Sequence, residues 1–245
     1  MQIVEKEHLD KLRKLFKEIR FHMGNSVLDG KMGQAYADNA DDPRFAILLL
    51  RSYCFMSGNV EKEELKEIIH TYDLKKYKIF PSDNLKRYLE EIFQDSIRKS
   101  ERYSIKKNPE FNAEQLSKYS EYTQEEYEFV VIEGSLAKRI VEEEFIKITD
   151  DYEKNGIGYA CIYHNELIGV ASSNFIYKDG IEVNIRVREE YRKKGIATAL
   201  AAKLILLCIQ KNMTISWDAA NLSSLRLAEK LGFQYDSTYH IYQID

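Results

Sequence analysis

The chain has 245 residues, of which 44% are hydrophobic and 31% charged, with a formal net charge of -4; this excludes a disordered or fibrous chain and a surface basic enough to coat nucleic acid. Cys54, Cys161 and Cys208 are odd in number, far apart and set in apolar runs, which reads as buried thiols of a cytoplasmic protein, and no Cys-x-x-Cys or His-x-x-x-His spacing supports a metal site. The first fifteen residues are too charged for a secretory signal, and the longest apolar stretch, Ala197 to Ile209, is interrupted by Lys203 and falls short of the ~20 residues that cross a bilayer, so no membrane partner is expected.

Along the first half, Leu9, Leu12, Leu15, Phe16 and Ile19 recur at helical spacing and predict an amphipathic helix from Glu7 to about Arg20. Gly24 to Gly33 reads as loop. Met32 to Ala37 and Arg44 to Phe55 read as strands separated by the turn residues Asn39 to Pro43. A helix follows at Glu61 to His70, a strand at Lys75 to Phe80 before Pro81, a helix at Asp83 to Ile97, and a short strand at Tyr103 to Lys106 before Asn108-Pro109. This half, residues 1–122, reads as a mixed α/β domain without a phosphate loop. A polar stretch from Glu114 to Glu126, partly helical, bridges the two halves.

In the second half, residues 123–245, the order is more regular. Tyr127 to Ile132 is a strand and Ser135 to Asp150 a helix. Gly158 to Tyr163 and Leu167 to Tyr177 are strands joined through His164-Asn165-Glu166, and a Lys178-Asp179-Gly180 turn leads into a strand from Ile181 to Arg188. Helix Gly195 to Lys211, strand Met213 to Trp217, helix Asn221 to Leu231 and two short strands complete the chain.

The densest signal is Arg192-Lys193-Lys194-Gly195-Ile196-Ala197-Thr198, which joins a strand to a long helix. Gly195 permits close backbone approach, Ala197 leaves the way clear, and the first N–H groups of the helix point at whatever sits there. With three cations alongside, the turn suits an anion; the alternative is a charged surface loop. Further on stand Trp217-Asp218-Ala219-Ala220-Asn221 and Leu227-Ala228-Glu229-Lys230-Leu231-Gly232-Phe233. From about Tyr127 onward these motifs resemble the GCN5-related N-acetyltransferase (GNAT) superfamily, and within it the branch that includes zwittermicin A resistance acetyltransferases.

The resemblance implies an α/β (α+β) fold with a mixed central sheet that splays at an acetyl-CoA site. The pyrophosphate would lie on Arg192 to Thr198. Backbone groups of Ile185 and Val187 would meet the pantetheine arm and the acetyl carbonyl, and Asn221 would contact the same arm unless it serves only as a helix cap. Ala228 stands where many relatives carry a proton-donating Tyr, which leaves Ser224, one turn earlier, as a substitute donor unless it serves only the helix surface or a cap, with Tyr239 and Tyr242 on the last strands as further candidates. Glu182 is the first candidate to relay the amine proton or to anchor the ammonium form, with a structural partnership to Arg186 or Arg188 as the alternative. Asp218 is the second carboxylate. The expected activity is acetyl-CoA-dependent N-acetylation of a small, antibiotic-like amine, with residues 1–122 shaping the acceptor site. Alternatives are a protein or peptide acetyltransferase and a non-catalytic acyl-CoA-binding module.

Overall fold

A computed structural model describes residues 1–17, 22–106, 109–122, 124–146, 152 and 155–245. The chain forms two compact units, Met1–Ser104 with Ser237–Asp245, and Ile105–Asp236.

The first unit is built on seven strands: β1 (Gln2–Ile3), β2 (Gln34–Ala37), β3 (Phe45–Leu50), β4 (Tyr53–Gly58), β5 (Lys78–Pro81), β6 (Ile97–Ile105) and β12 (Tyr235–Ile244). Their order in the sheet is β1-β2-β3-β4-β5-β12-β6. Short helices α1 (Leu9–Leu12) and α2 (Asn25–Leu28) precede the longer α3 (Lys62–Thr71) and α4 (Asp83–Phe93). Leu65 and Ile69 of α3 and Leu85 and Leu89 of α4 pack with Ile47, Cys54, Met56, Ile79 and Tyr242 of the sheet.

Several elements differ from the sequence reading, each for a local reason. The apolar run from Arg44 to Phe55 is a hairpin, β3 and β4, turned at Arg51, whose φ is 54°. Burial on both faces makes the two strands read as one run, and the turn lacks the Gly or Asn that usually marks it. Helix α4 stops at Phe93 because Gln94 adopts φ 44°, and the chain re-enters the sheet as β6 from Ile97. The two short final strands are one strand, β12. The opening helix is reduced to α1, with residues 18–20 of the expected span outside the described residues, and α2 lies within the expected loop.

The second unit carries β7 (Tyr127–Val131), β8 (Gly158–Tyr163), β9 (Glu166–Tyr177), β10 (Gly180–Val187) and β11 (Thr214–Ser216), in the order β11-β10-β9-β8-β7. All neighbours are antiparallel except β10 and β11, which are parallel. Its helices are α5 (Ala113–Ser120), α6 (Ser135–Glu142), α7 (Ile196–Gln210) and α8 (Leu222–Lys230). Beyond α6, residues 147–150 of the expected helix lie outside the described residues, as does Asn108. Helix α7 is apolar nearly all round because it packs against β8, β9 and β10 and is itself covered by α5. That packing carries α5 with the second unit, so the compact units divide at Ser104/Ile105, while the boundary expected at 122/123 lies inside the second unit. Strand β12 returns to the first sheet, where Tyr242 pairs with Ile79. Among the described residues, no helix is long and apolar enough to cross a membrane.

Candidate active site

The site begins where two parallel strands separate. Gly180, Ile181 and Glu182 of β10 pair with Thr214, Ile215 and Ser216 of β11, and there the pairing ends. Gly180 is required at the close end, because a Cβ there would overlap the carbonyl of Thr214. From Val183 to Val187, β10 continues in register with β9 alone, after a bulge at Glu182/Val183 that increases the local twist. The N–H of Arg188 bonds Ile168 O, on the β9 side, at 2.8 Å. Strand alternation therefore turns the backbone groups of Val187 and Ile185 to the other, open edge. There Arg192 Nε reaches Val187 O at 3.3 Å.

The turn from Arg192 to Thr198 follows directly. Lys193 and Gly195 adopt φ 62° and 88°, so the chain reverses through two left-handed residues before α7 starts. No side chain caps α7, which leaves its first N–H groups available at the positive end of the helix dipole. A Cβ built on Gly195 would lie 3.6 Å from the Tyr122 ring, an ordinary contact, so the glycine is required by its φ. Arg192 remains largely exposed, its ion pair with Glu189 stretched to 4.0 Å. Lys194 Nζ lies over the Tyr191 ring at 5.0 Å. Lys230, at the C-terminal end of α8, brings a further cation to within 3.5 Å of Thr198 Oγ1.

Glu182 sits at the vertex of the two strands and is 3% exposed. One carboxylate oxygen accepts from Ser216 Oγ and the other from the N–H of Asp218 at 2.7 Å. Ser216 in turn accepts from Tyr177 Oη at 3.1 Å, and burial pushes the Tyr177 phenol upward, so it stays protonated as the donor. Glu182 thus ties β10 to the segment leaving β11. Neither Arg186 nor Arg188 is among the partners just named. Asp218 itself is half-buried, one residue beyond Trp217.

Trp217, the only tryptophan, is 6% exposed, edge-on to Phe233 at 5.4 Å, and its Nε1 donates to Ser224 Oγ at 3.0 Å. Because an indole nitrogen only donates, Ser224 must be the acceptor, and its own hydroxyl proton is directed elsewhere. Asn221 caps α8, its side-chain oxygen accepting from Ser224 N at 2.9 Å. Ala228 is fully buried.

The basic residues Arg186, Arg188, Arg192, Lys193 and Lys194 divide into two groups. Asn184 Nδ2 donates to Phe145 O at 3.2 Å, Arg186 to Glu144 O at 2.7 Å, and Arg188 to the Glu143 carboxylate at 2.7 Å. Asn184 and Arg186 of β10 and Arg188 just beyond it thus stitch down the segment after α6, and only Arg192, Lys193 and Lys194 remain at the turn. Sequence reading missed Tyr122, whose hydroxyl donates to Lys194 O at 2.7 Å, and Lys230. Tyr122 was hidden among 17 tyrosines, and Lys230 lay inside a quoted motif without a role. Cys161 and Cys208 are buried and their thiols pushed up to about 12, so neither offers a nucleophile to this site. Among the described residues, no group of His, Cys, Asp and Glu is arranged to hold a metal ion.

Comparison with known proteins extends the likeness to both units. The family model described as GNAT acetyltransferase matches residues 13–242. YdfB of Bacillus subtilis, described as an uncharacterized N-acetyltransferase, is 27% identical over 229 residues, covering 89% of this chain and 88% of its own. A crystal structure of a GCN5-related N-acetyltransferase-like protein from Streptococcus suis superimposes with a TM-score of 0.86 at 30% identity, over 98% of this chain and 99% of that one. A tandem GNAT protein from the clavulanic acid biosynthesis pathway shares the fold at a TM-score of 0.60 and 9% identity, over 98% and 97% of the two chains.

Proposed function

The chain belongs to the GNAT acetyltransferase family and is an N-acetyltransferase; on that premise we propose that it moves an acetyl group from acetyl-CoA to the amine of a small molecule. The observation that carries this reading is the departure of β10 from β11 after Glu182, immediately before an uncapped helix N-terminus flanked by Arg192, Lys193 and Lys194. A strand edge opened within a sheet exposes N–H and C=O groups that an extended ligand can pair with. A pantetheine arm is an extended amide chain, able to bond a strand edge as another strand would.

In this reading the N–H groups of Gly195, Ile196, Ala197 and Thr198, with the cations of Arg192, Lys193 and Lys194, hold the pyrophosphate. Backbone groups of Ile185 and Val187 hold the arm and polarise the acetyl carbonyl, and the amide nitrogen of Asn221 turns to the same arm while its oxygen caps α8. The coenzyme contributes the acetyl group as a thioester. Ser224 supplies the proton for the departing sulfur, its oxygen being held by the Trp217 indole. The half-buried Asp218 carboxylate meets the incoming amine. Glu182, with both oxygens engaged by its own chain, acts by fixing where Asp218 stands. This assignment moves the acceptor-facing role from Glu182, the first sequence candidate, to Asp218, because a buried carboxylate with two fixed donors is poorly placed to exchange protons with a substrate.

The small, antibiotic-like acceptor rests on the resemblance of the Glu189 to Thr198 and Ser216 to Phe233 motifs to the zwittermicin A resistance branch. The test is release of coenzyme A thiol from acetyl-CoA over a panel of aminopolyols, aminoglycosides, polyamines and peptides. Turnover confined to small amines supports the proposal. Turnover confined to peptides overturns the acceptor class, and coenzyme binding without thiol release from any of them overturns the catalytic roles given to Ser224 and Asp218.

A further inference from the structure

The Tyr122 hydroxyl is bonded to a backbone carbonyl 72 residues away, at Lys194 in the middle of the anion turn. Lys194 lies between the two left-handed residues, Lys193 and Gly195. The peptide between Lys194 and Gly195 is planar and trans, so its carbonyl and its N–H point in opposite directions. Holding the carbonyl on Tyr122 therefore fixes the Gly195 N–H, which must face away from the tyrosine.

The tyrosine is itself held in place. Its ring packs against Tyr127 at 5.5 Å and Phe129 at 5.2 Å between centroids, and it lies beside Gly195. The preceding helix α5 packs on α7, capped by Asn112 and anchored where Lys230 covers the Tyr119 ring at 4.9 Å. Burial raises the Tyr122 phenol above its ordinary value, so it remains a neutral donor at all working pH values. Donor, peptide and turn all lie within the second unit.

We propose that Tyr122 is a positioning residue of the coenzyme site: its hydroxyl presets the Lys194–Gly195 peptide so that the Gly195 N–H faces the pyrophosphate before the coenzyme arrives. This rests on the reading of the turn as the pyrophosphate site. Without the hydroxyl, the Lys194 ψ and the permissive Gly195 φ let the peptide rotate, and binding must then select the productive orientation.

The experiment is Tyr122→Phe, which keeps the ring and its packing. Calorimetric titration with coenzyme A is compared with titration by pantetheine, which lacks every phosphate. The expected result is a three- to tenfold loss of coenzyme A affinity, about 0.7 to 1.4 kcal/mol, with pantetheine affinity, melting temperature and kcat at saturating acetyl-CoA unchanged. Unaltered coenzyme A affinity overturns the inference, and so does an equal loss for both ligands, which would place the effect outside the turn. The reading beneath it is checked separately on the parent protein: if coenzyme A binds no more tightly than pantetheine, the turn is not a pyrophosphate site and the inference falls with it.

Discussion

Replacing Glu182 with Gln separates positioning from proton transfer. The carboxylate accepts from Ser216 Oγ and from the N–H of Asp218. Gln keeps an oxygen for the Asp218 N–H but turns an NH2 toward Ser216, which also has Ile181 O within reach at 3.1 Å. One charge-assisted hydrogen bond is therefore lost with little change of volume, a cost of about 1.5–3 kcal/mol. For a chain of this size that lowers the melting temperature by about 3–12 °C. The fall in kcat does not decide the role by itself. A misplacement of about 1 Å near the reacting groups can cost about 10²-fold, which overlaps the low end of the ~10²–10⁴-fold contributed by a general base. The shape of the pH–rate profile does decide it. If Glu182 only fixes the Trp217–Asp218 segment, the variant and parent profiles run parallel from about pH 6 to pH 10, the interval in which amine substrates lose their proton. A loss that is deep at neutral pH, disappears as the solution deprotonates the amine, and comes without a drop in melting temperature would make Glu182 the proton acceptor and refute the positioning role.

Gly195→Ala places a side chain at φ 88°, a strain of roughly 1–2 kcal/mol; because the new Cβ meets only the Tyr122 ring at 3.6 Å, the protein should fold and bind coenzyme A about tenfold more weakly by calorimetry. Ser224→Ala should lower kcat by about 10²-fold or more with an unchanged KM for acetyl-CoA, and should alter the fluorescence of Trp217, whose indole N–H loses its acceptor. In the first unit, burial pushes the Asp38 carboxyl up, but the N–H groups of Phe45 and Arg44 overcome it and hold it below the usual carboxylate value. A depressed carboxyl stabilises above its unfolded pKa and loses that contribution as pH falls through the folded one. Asp38→Ala should therefore melt several degrees lower at neutral pH, for a cost of about 1–3 kcal/mol, and the difference should narrow in thermal melts at pH values well below the ordinary carboxylate range.

The second unit was largely legible because its strands announce themselves singly. Tyr127 to Val131, Gly158 to Tyr163 and Gly180 to Val187 are short apolar runs separated by turns that carry Gly, Asn or Asp, and the spacing from Arg192 to Thr198 can be read without three-dimensional information. The hairpin at Arg51 and the end of α4 at Gln94 were not legible, since both depend on a non-glycine residue held left-handed by its surroundings. At the candidate site, sequence spacing indicated which residues stand near the turn but not how their side chains are used. In the sequence Arg186 and Arg188 stand as candidate partners of Glu182. Strand alternation instead turns them, with Asn184, onto the carbonyls and carboxylate between Glu143 and Phe145. Tyr122 could not have been singled out, because its partner is a carbonyl that only folding brings to it.

The two units contain the same local arrangement with opposite consequences. In each, a strand leads through a helix to a parallel neighbour: β4–α3–β5 in the first and β10–α7–β11 in the second. In the first unit the pair stays closed along its length. Tyr53 to Met56 pair with Lys78 to Pro81, Ser82 N then bonds Met56 O at 2.9 Å, and Asn84 Nδ2 bonds Gly58 O at 2.8 Å, which carries the contact to the last residue of β4. In the second unit pairing stops at Glu182 while β10 runs on to Val187. The helix ends differ in the same sense. Helix α3 begins behind Glu61 with Glu63 and Glu64 in its first turn, so a negative charge occupies the positive end of its dipole. Helix α7 begins behind Arg192, Lys193 and Lys194 with no acidic residue in its first turn. An extended arm joined to a pyrophosphate is matched by an open strand edge next to an anion-attracting helix end. The first unit lacks both features where the second has them, which supports assigning the coenzyme to the second unit alone.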